Sequence, residues 1–218
     1  MAALLEVDHL YKRYGAVVVA DDICCTVDQA SCVGLIGPNG AGKSSLFNML
    51  TGIIAPDDGV IRFQGRDIGG IAAHRRAQLG IVRVFQIPRP FAQLSVYENV
   101  LTAALYGAGL SGHGAQQLAA DVLNRTGLLA HADEPADHLR LLDRKRLELA
   151  KAIASRAKLL LLDEIASGLT GDAVPRSRIS GAIENRNSLR PSFALVDDTA
   201  SRSALSIRCM PIATSVPT

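Results

Sequence analysis

Ser31–Ile54 reads SCVGLIGPNGAGKSSLFNMLTGII, and its character changes twice. Val33, Leu35 and Ile36 form a short, nearly continuous apolar run, the pattern of a strand buried on both faces. After it, Leu46, Met49 or Leu50, and Ile53 recur at helical spacing. The glycine-rich stretch between them therefore joins a strand to a helix.

That stretch, Gly37-Pro38-Asn39-Gly40-Ala41-Gly42-Lys43-Ser44, fits G-x-x-x-x-G-K-[ST] in the strand-to-helix setting where the pattern binds phosphate. Glycines let the backbone curl around a phosphate, and the helix that follows offers free N–H groups and the positive end of its dipole. Lys43 is expected to reach the β- and γ-phosphates, and the Ser44 hydroxyl to bind Mg²⁺. The nucleotide-binding set thus runs over Gly37, Pro38, Asn39, Gly40, Ala41, Gly42, Lys43, Ser44 and Ser45. A glycine-rich turn that merely precedes a helix is the plainer alternative.

The partner of such a loop is an apolar strand ending in Asp-Glu, which Leu159–Leu162 followed by Asp163 and Glu164 supplies. Four leucines make a buried strand, so Asp163 emerges at its carboxyl end, where parallel α/β sheets bind ligands. Asp163 is expected to hold Mg²⁺ through water, and Glu164 to polarise the attacking water as a general base.

With 218 residues, 48% of them hydrophobic, the chain can build one substantial core and at most a small second subdomain. A net charge of +2, with both signs interspersed, does not suggest a nucleic-acid surface. The four cysteines show no Cys-x-x-Cys spacing, and the spacing of the five histidines does not group them with the cysteines as metal ligands. MAALLEVDHL carries Glu6 and Asp8 within its apolar run and reads as a poor signal peptide. No apolar run approaches the roughly 20 residues that span a bilayer. These features favour a cytoplasmic protein.

The order Tyr14, GPNGAGKSS, Gln86, LLLLDE resembles the ATP-binding cassette (ABC) ATPases, and in detail the subunits that serve branched-chain amino-acid importers. LYKRYGAVVVADDI, SSLFNMLTGIIAPDDGVIRFQGRDI, GIVRVFQIPRPFAQLSVYENVL and LDRKRLELAKAIASRAKLLLLDE carry the likeness over about residues 4 to 170. The resemblance implies that Tyr14 stacks on the adenine of ATP. It implies that Gln86 reaches Mg²⁺ or the attacking water, from a loop that responds to a membrane partner. Lys43, Gln86 and Glu164 are then the catalytic residues, and Ser44, Gln86 and Asp163 the metal ligands. Transmembrane permease subunits and a second ABC ATPase subunit are the implied partners, and the inner face of the cell membrane the implied location. Between Pro88 and about Ser155, LSVYENVLTAAL and GAQQLAADVLNRTGL read as helices, joined by GAGLSGHG, and fit the family's helical subdomain.

Two segments depart from the family. Its LSGGQ signature grips the nucleotide of the facing subunit, but Leu139-Arg140-Leu141-Leu142-Asp143 stands here. Leucines replace both glycines, and Asp143 is expected at the helix N-cap, competing with phosphate for the same N–H groups. Arg140 offers a guanidinium in the serine's place. After Glu164, Ser167-Gly168-Leu169-Thr170 lacks the aspartate of the family's D-loop, and no histidine follows His138 to act as the switch. A strand is expected over Phe193–Val196, leaving Asp197 and Asp198 near the histidine's place. The remainder, TASRSALSIRCMPIATSVPT, shows neither helical nor strand periodicity, as if the original ending had been replaced by a change of reading frame. Simple divergence with a real terminal strand is the alternative.

The expected fold is α/β: a P-loop NTPase (ABC ATPase) core with an N-terminal antiparallel β region from about residues 4 to 30 and 58 to 66, and an inserted helical subdomain. The expected organisation is one ATP-binding domain over 1–218, with core 1–87 and 156–170, helical subdomain 88–155 and atypical tail 171–218. The function it implies is ATP hydrolysis for an ABC importer. A binding module that hydrolyses poorly, and an unstable truncated product, are the rival readings.

Overall fold

The computed structural model describes residues 3–37 and 40–163, and the backbone of two strands at 192–197 and 208–211. Expectations for Pro38, Asn39 and Glu164, and for the 167–170 loop, lie outside the described residues.

The chain opens with a hairpin, β1 (Ala3–Tyr14) against β2 (Val17–Asp28). Leu5 and Val7 face the core, and then Leu10, because a register shift between Val7 and Leu10 moves the inward positions by one. His9 takes up the shift at φ 46°. β4 (Asp58–Phe63) adds to the other side of β1, and β5 (Arg66–Asp67) to β4, giving an antiparallel sheet in the order β2-β1-β4-β5. Its boundaries agree with the expected N-terminal β region.

The second sheet has the order β6-β7-β8-β3-β9. β3 (Cys32–Ile36), β6 (Ile81–Val84), β7 (Leu159–Leu162) and β8 (Ser192–Asp197) run parallel. β8 lies between β3 and β7 and puts Asp197 level with Ile36 in register. β9 (Arg208–Pro211) pairs antiparallel with β3, so the segment without legible periodicity contains a strand. Its partner is the open edge of β3, and a terminal strand tolerates a proline at its end.

Helix α1 (Lys43–Thr51) follows β3 and buries Leu46, Phe47, Met49 and Leu50 beneath the two sheets. Ile53 is not on its inner face: the helix stops at Gly52 in the left-handed conformation, and Ile53 is 56% exposed. Arg76, on the short helix α2 (Ala73–Leu79), is buried and donates to Met49 O at 2.7 Å and Leu50 O at 3.1 Å. A cation on the last carbonyls satisfies acceptors the helix leaves open and complements its dipole.

α3 (Val96–Tyr106), α4 (Gly112–Thr126) and α5 (Leu141–Ala154) pack around a separate core built on Val100, Ala119, Leu123 and Leu147. Ser95 and Glu98 close a reciprocal capping box at the start of α3. Buried Asn99 accepts from Phe91 N at 2.8 Å and donates to Phe91 O, tying the chain that leaves β6 to α3. Among the described residues no helix is long and apolar enough to cross a membrane.

Strand pairing brings together one side-chain group that spacing along the sequence does not reveal. Asp8, His9 and Cys24, exposed on the β1–β2 hairpin, place ligand atoms within 4.8 Å of one another, because strand pairing joins residues that sequence separates. His9 Nδ1 lies 2.6 Å from Asp22 Oδ1, and this hydrogen bond raises the His9 pKa above its ordinary value.

Candidate functional site

β3 delivers the chain to Gly37 at the carboxyl edge of the central sheet, and α1 carries it away. Between them Gly42 has φ 87°, and a Cβ placed there would sit 2.0 Å from the Val19 carbonyl oxygen. Glycine is required on both counts, because the loop lies against the backbone of β2. Gly40, at φ 81°, faces open space.

Lys43 is buried, and its ammonium donates to the Gly37 carbonyl, closing the loop on itself. The start of α1 has no side-chain cap and no acidic residue in its first turn. Its leading N–H groups, beside the lysine charge, therefore suit an anion such as a phosphate. Ser44 is exposed and Ser45 half-buried on that first turn.

Two strand positions away, roughly 10 Å across the sheet, β7 leads straight into Asp163. All four leucines of β7 are buried, which carries Asp163 to the sheet edge at 7% exposure. Its N–H donates to Val84 O at 3.2 Å, so the ends of β6 and β7 are locked side by side. Gln86 stands two residues beyond β6, exposed in the turn toward Pro88. Tyr14 ends β1 at 49% exposure with Lys12 Nζ 5.4 Å from its ring centre, on the same hairpin whose Val19 meets Gly42.

The structure adds residues that the motif reading passed over. Arg83 reaches from β6 to donate to Asp163 Oδ2 and, at 2.5 Å, to Asn48 Oδ1 on α1. The one sequence signal for it was a charge inside an apolar strand, Ile81-Val82-Arg83-Val84.

A glycine-rich loop with a buried lysine and an acid two strand positions away suit a nucleotide, and the sequence comparison gives the family: the ABC transporter family matches residues 20–167. The chain belongs to that family. It is 36% identical over 180 residues, 76% of this chain and 71% of the relative, to the high-affinity branched-chain amino acid transport ATP-binding protein LivG of Salmonella typhimurium. It is 38% identical over 169 residues, 78% of this chain and 70% of the relative, to the lipopolysaccharide export system ATP-binding protein LptB of Acidithiobacillus ferridurans. The solved structure of cbiO1 from Clostridium perfringens, part of the ABC transporter complex cbiONQ, superposes with a TM-score of 0.73 at 25% identity. The match covers 90% of this chain and 78% of that one. The fold is that of an ABC ATPase, and the chain is an ATPase subunit of the ABC transporter type.

Against that family's pattern, the start of α5 is the anomalous end. The N-cap is Arg140, with no side-chain cap, and Asp143 lies in the first turn rather than at the cap. The helix begins earlier than the sequence suggested because leucines 141 and 142 enter it without strain, whereas glycines there would resist helix formation. Asp143 does not occupy the N–H groups: its carboxylate accepts from Arg146 Nη1 at 2.9 Å. Leu139 is buried, and Leu141 is 65% exposed at the position of a signature glycine.

Proposed function

We propose that this chain is the ATP-binding and ATP-hydrolysing subunit of an ABC importer for branched-chain amino acids or similar small solutes. The observation that carries the nucleotide reading is the loop at Gly42. Left-handed backbone pressed against Val19, a buried Lys43 and an uncapped helix start together make a cradle for phosphate. The solute class rests on the likeness to LivG, and the likeness to LptB names export as the competing direction.

In this reading Lys43 exchanges the Gly37 carbonyl for the β- and γ-phosphates of ATP, and Tyr14 stacks on the adenine. The oxygen donors of Ser44, Gln86 and Asp163 suit Mg²⁺, a hard cation, which supplies neutralisation of phosphate charge when bound. Glu164 orients the attacking water. Catalysis then lies mostly in positioning and fixed electrostatics.

The proposed partners are a second cassette and a membrane permease. A groove of about 290 Å³ between the Phe85–Phe91 segment, α3 and α5 supports the second of these, with Phe91 54% and Tyr106 73% exposed beside it. We place the permease's cytoplasmic segment there, and the working location at the inner face of the membrane. The domain organisation is one cassette whose helical subdomain spans 88–155.

A second reading is favoured by α5: a subunit that binds ATP but hydrolyses it poorly, because Leu141, Leu142 and Asp143 replace the signature that meets the opposite nucleotide. Steady-state hydrolysis at saturating Mg-ATP, measured beside nucleotide binding with Glu164→Gln as control, separates the two. Turnover that disappears in the control supports the motor, whereas tight binding with no turnover above the control supports the binding module. Absence of binding overturns both.

A further inference from the structure

Arg83 is a charged residue inside an otherwise apolar strand, and nothing in the phosphate chemistry above gives it a task. Its side chain is only 7% exposed. Nη2 donates to Asp163 and Nη1 to Asn48 at 2.5 Å. The guanidinium carbon lies 4.8 Å from the centre of the Phe85 ring and 5.7 Å from that of Phe47, while Nε has no partner among the described residues. Burying a guanidinium with one donor unpaired is unfavourable unless the remaining geometry is used. Here the fork is aimed at two acceptors on different elements.

Those acceptors sit on the segments that bear the magnesium ligands of the proposed site. Asn48 lies four residues after Ser44 on α1, so the two share a helix face. Asp163 closes β7, and Arg83 itself precedes Gln86 by three residues. We propose that Arg83 is a positioning residue for the magnesium site. It is a protein-built brace that fixes the carboxylate of Asp163 against the helix carrying Ser44 and against the strand leading to Gln86. This inference rests on the magnesium–nucleotide reading of the same site. Asp163 offers Oδ2 to the brace, and Arg83 is the side chain that holds it among the described residues. An ordinary buried ion pair would need only Asp163; the bond to Asn48 is what ties the pair to α1.

The test is binding of a fluorescent ATP analogue by the full chain, in EDTA and across a Mg²⁺ titration, for wild type, Arg83→Met and Arg83→Lys. A brace predicts that Arg83→Met binds the analogue in EDTA within about twofold of wild type. Its Mg²⁺ half-saturation rises about tenfold or more, the usual cost of losing a group that orients a metal ligand. Arg83→Lys, which keeps the charge but not the fork, falls between. Unchanged Mg²⁺ half-saturation, or equal weakening with and without Mg²⁺, overturns the proposal. If Arg83→Met does not fold, Arg83→Lys carries the same readout.

A double-mutant cycle needs no nucleotide. Urea unfolding of Arg83→Met, Asn48→Ala and the double variant should show at least about tenfold coupling in the unfolding equilibrium, and additive effects overturn the brace. Should the wild type bind no nucleotide at all, the nucleotide reading falls and this cycle alone decides the role of Arg83.

Discussion

Helix α1 opens with Lys43-Ser44-Ser45 behind a left-handed Gly42, and helix α5 opens with Leu141-Leu142-Asp143 behind Arg140. Neither start has a side-chain cap, so both leave N–H groups and a positive dipole end at the surface. At α1 the neighbouring charge is a buried lysine and the first turn holds no acid. At α5 the first turn holds Asp143, paired with Arg146, and leucines line the approach. The two ends share a backbone device, and side chains decide whether a phosphate can use it. Under the proposed function, the chain keeps its own phosphate-binding end and departs from the family at the end it would offer to a partner subunit.

The largest test of that contrast is Lys43→Ala. Loss of the one cation buried in the loop should reduce hydrolysis roughly 1,000-fold in a coupled phosphate-release assay. Retention of more than a tenth of the rate would show that α1 is not the working end. Next comes Gly42→Ala, whose new methyl meets the Val19 carbonyl at 2.0 Å in a left-handed residue. Destabilisation of about 3 kcal/mol is expected in urea unfolding, together with weakened nucleotide binding. A neutral result would mean that loop and hairpin are not pressed together.

The comparison sharpens when α5 is converted instead. Replacing Arg140, Leu141, Leu142 and Asp143 with Ser, Gly, Gly and Gln should raise turnover about tenfold, a gain near 1.4 kcal/mol, and promote ATP-dependent pairing in light scattering. No gain would place the defect elsewhere, beyond Asp163. The smallest effect belongs to Asp143→Ala. Loss of an acid near the positive end of α5 should cost about 0.5 kcal/mol in thermal unfolding. A much larger loss would reveal a structural task for the Asp143–Arg146 pair.

Much of this site was legible because its determinants are local. The run Val33–Ile36, the glycines and Lys43-Ser44 each constrain their own few residues, and four leucines carry Asp163 to a strand end whatever lies beside them. The expected strand over Phe193–Val196 exists as Ser192–Asp197 for the same reason. Legibility failed where a partner decides. Arg208–Pro211 is a strand because β3 has an edge to offer, not because of its own pattern. Asp143 was placed at a cap because the preceding leucines were read as a loop, yet leucine is a good helix former and the helix starts at Leu141.

By itself, then, the sequence determined the glycine-rich passage from β3 into α1, the acid that follows β7, the antiparallel opening and the family. The tertiary structure decided which groups meet. Gly42 is irreplaceable because Val19 lies over it, and His9 finds Cys24 because β1 pairs with β2. Arg83 has a role only because strand order brings Asp163 and Asn48, 80 and 35 residues away along the chain, to one guanidinium. Loop and strand propensities act over a few bonds and can be read in order, whereas convergence of side chains depends on sheet order and register, which no short stretch contains.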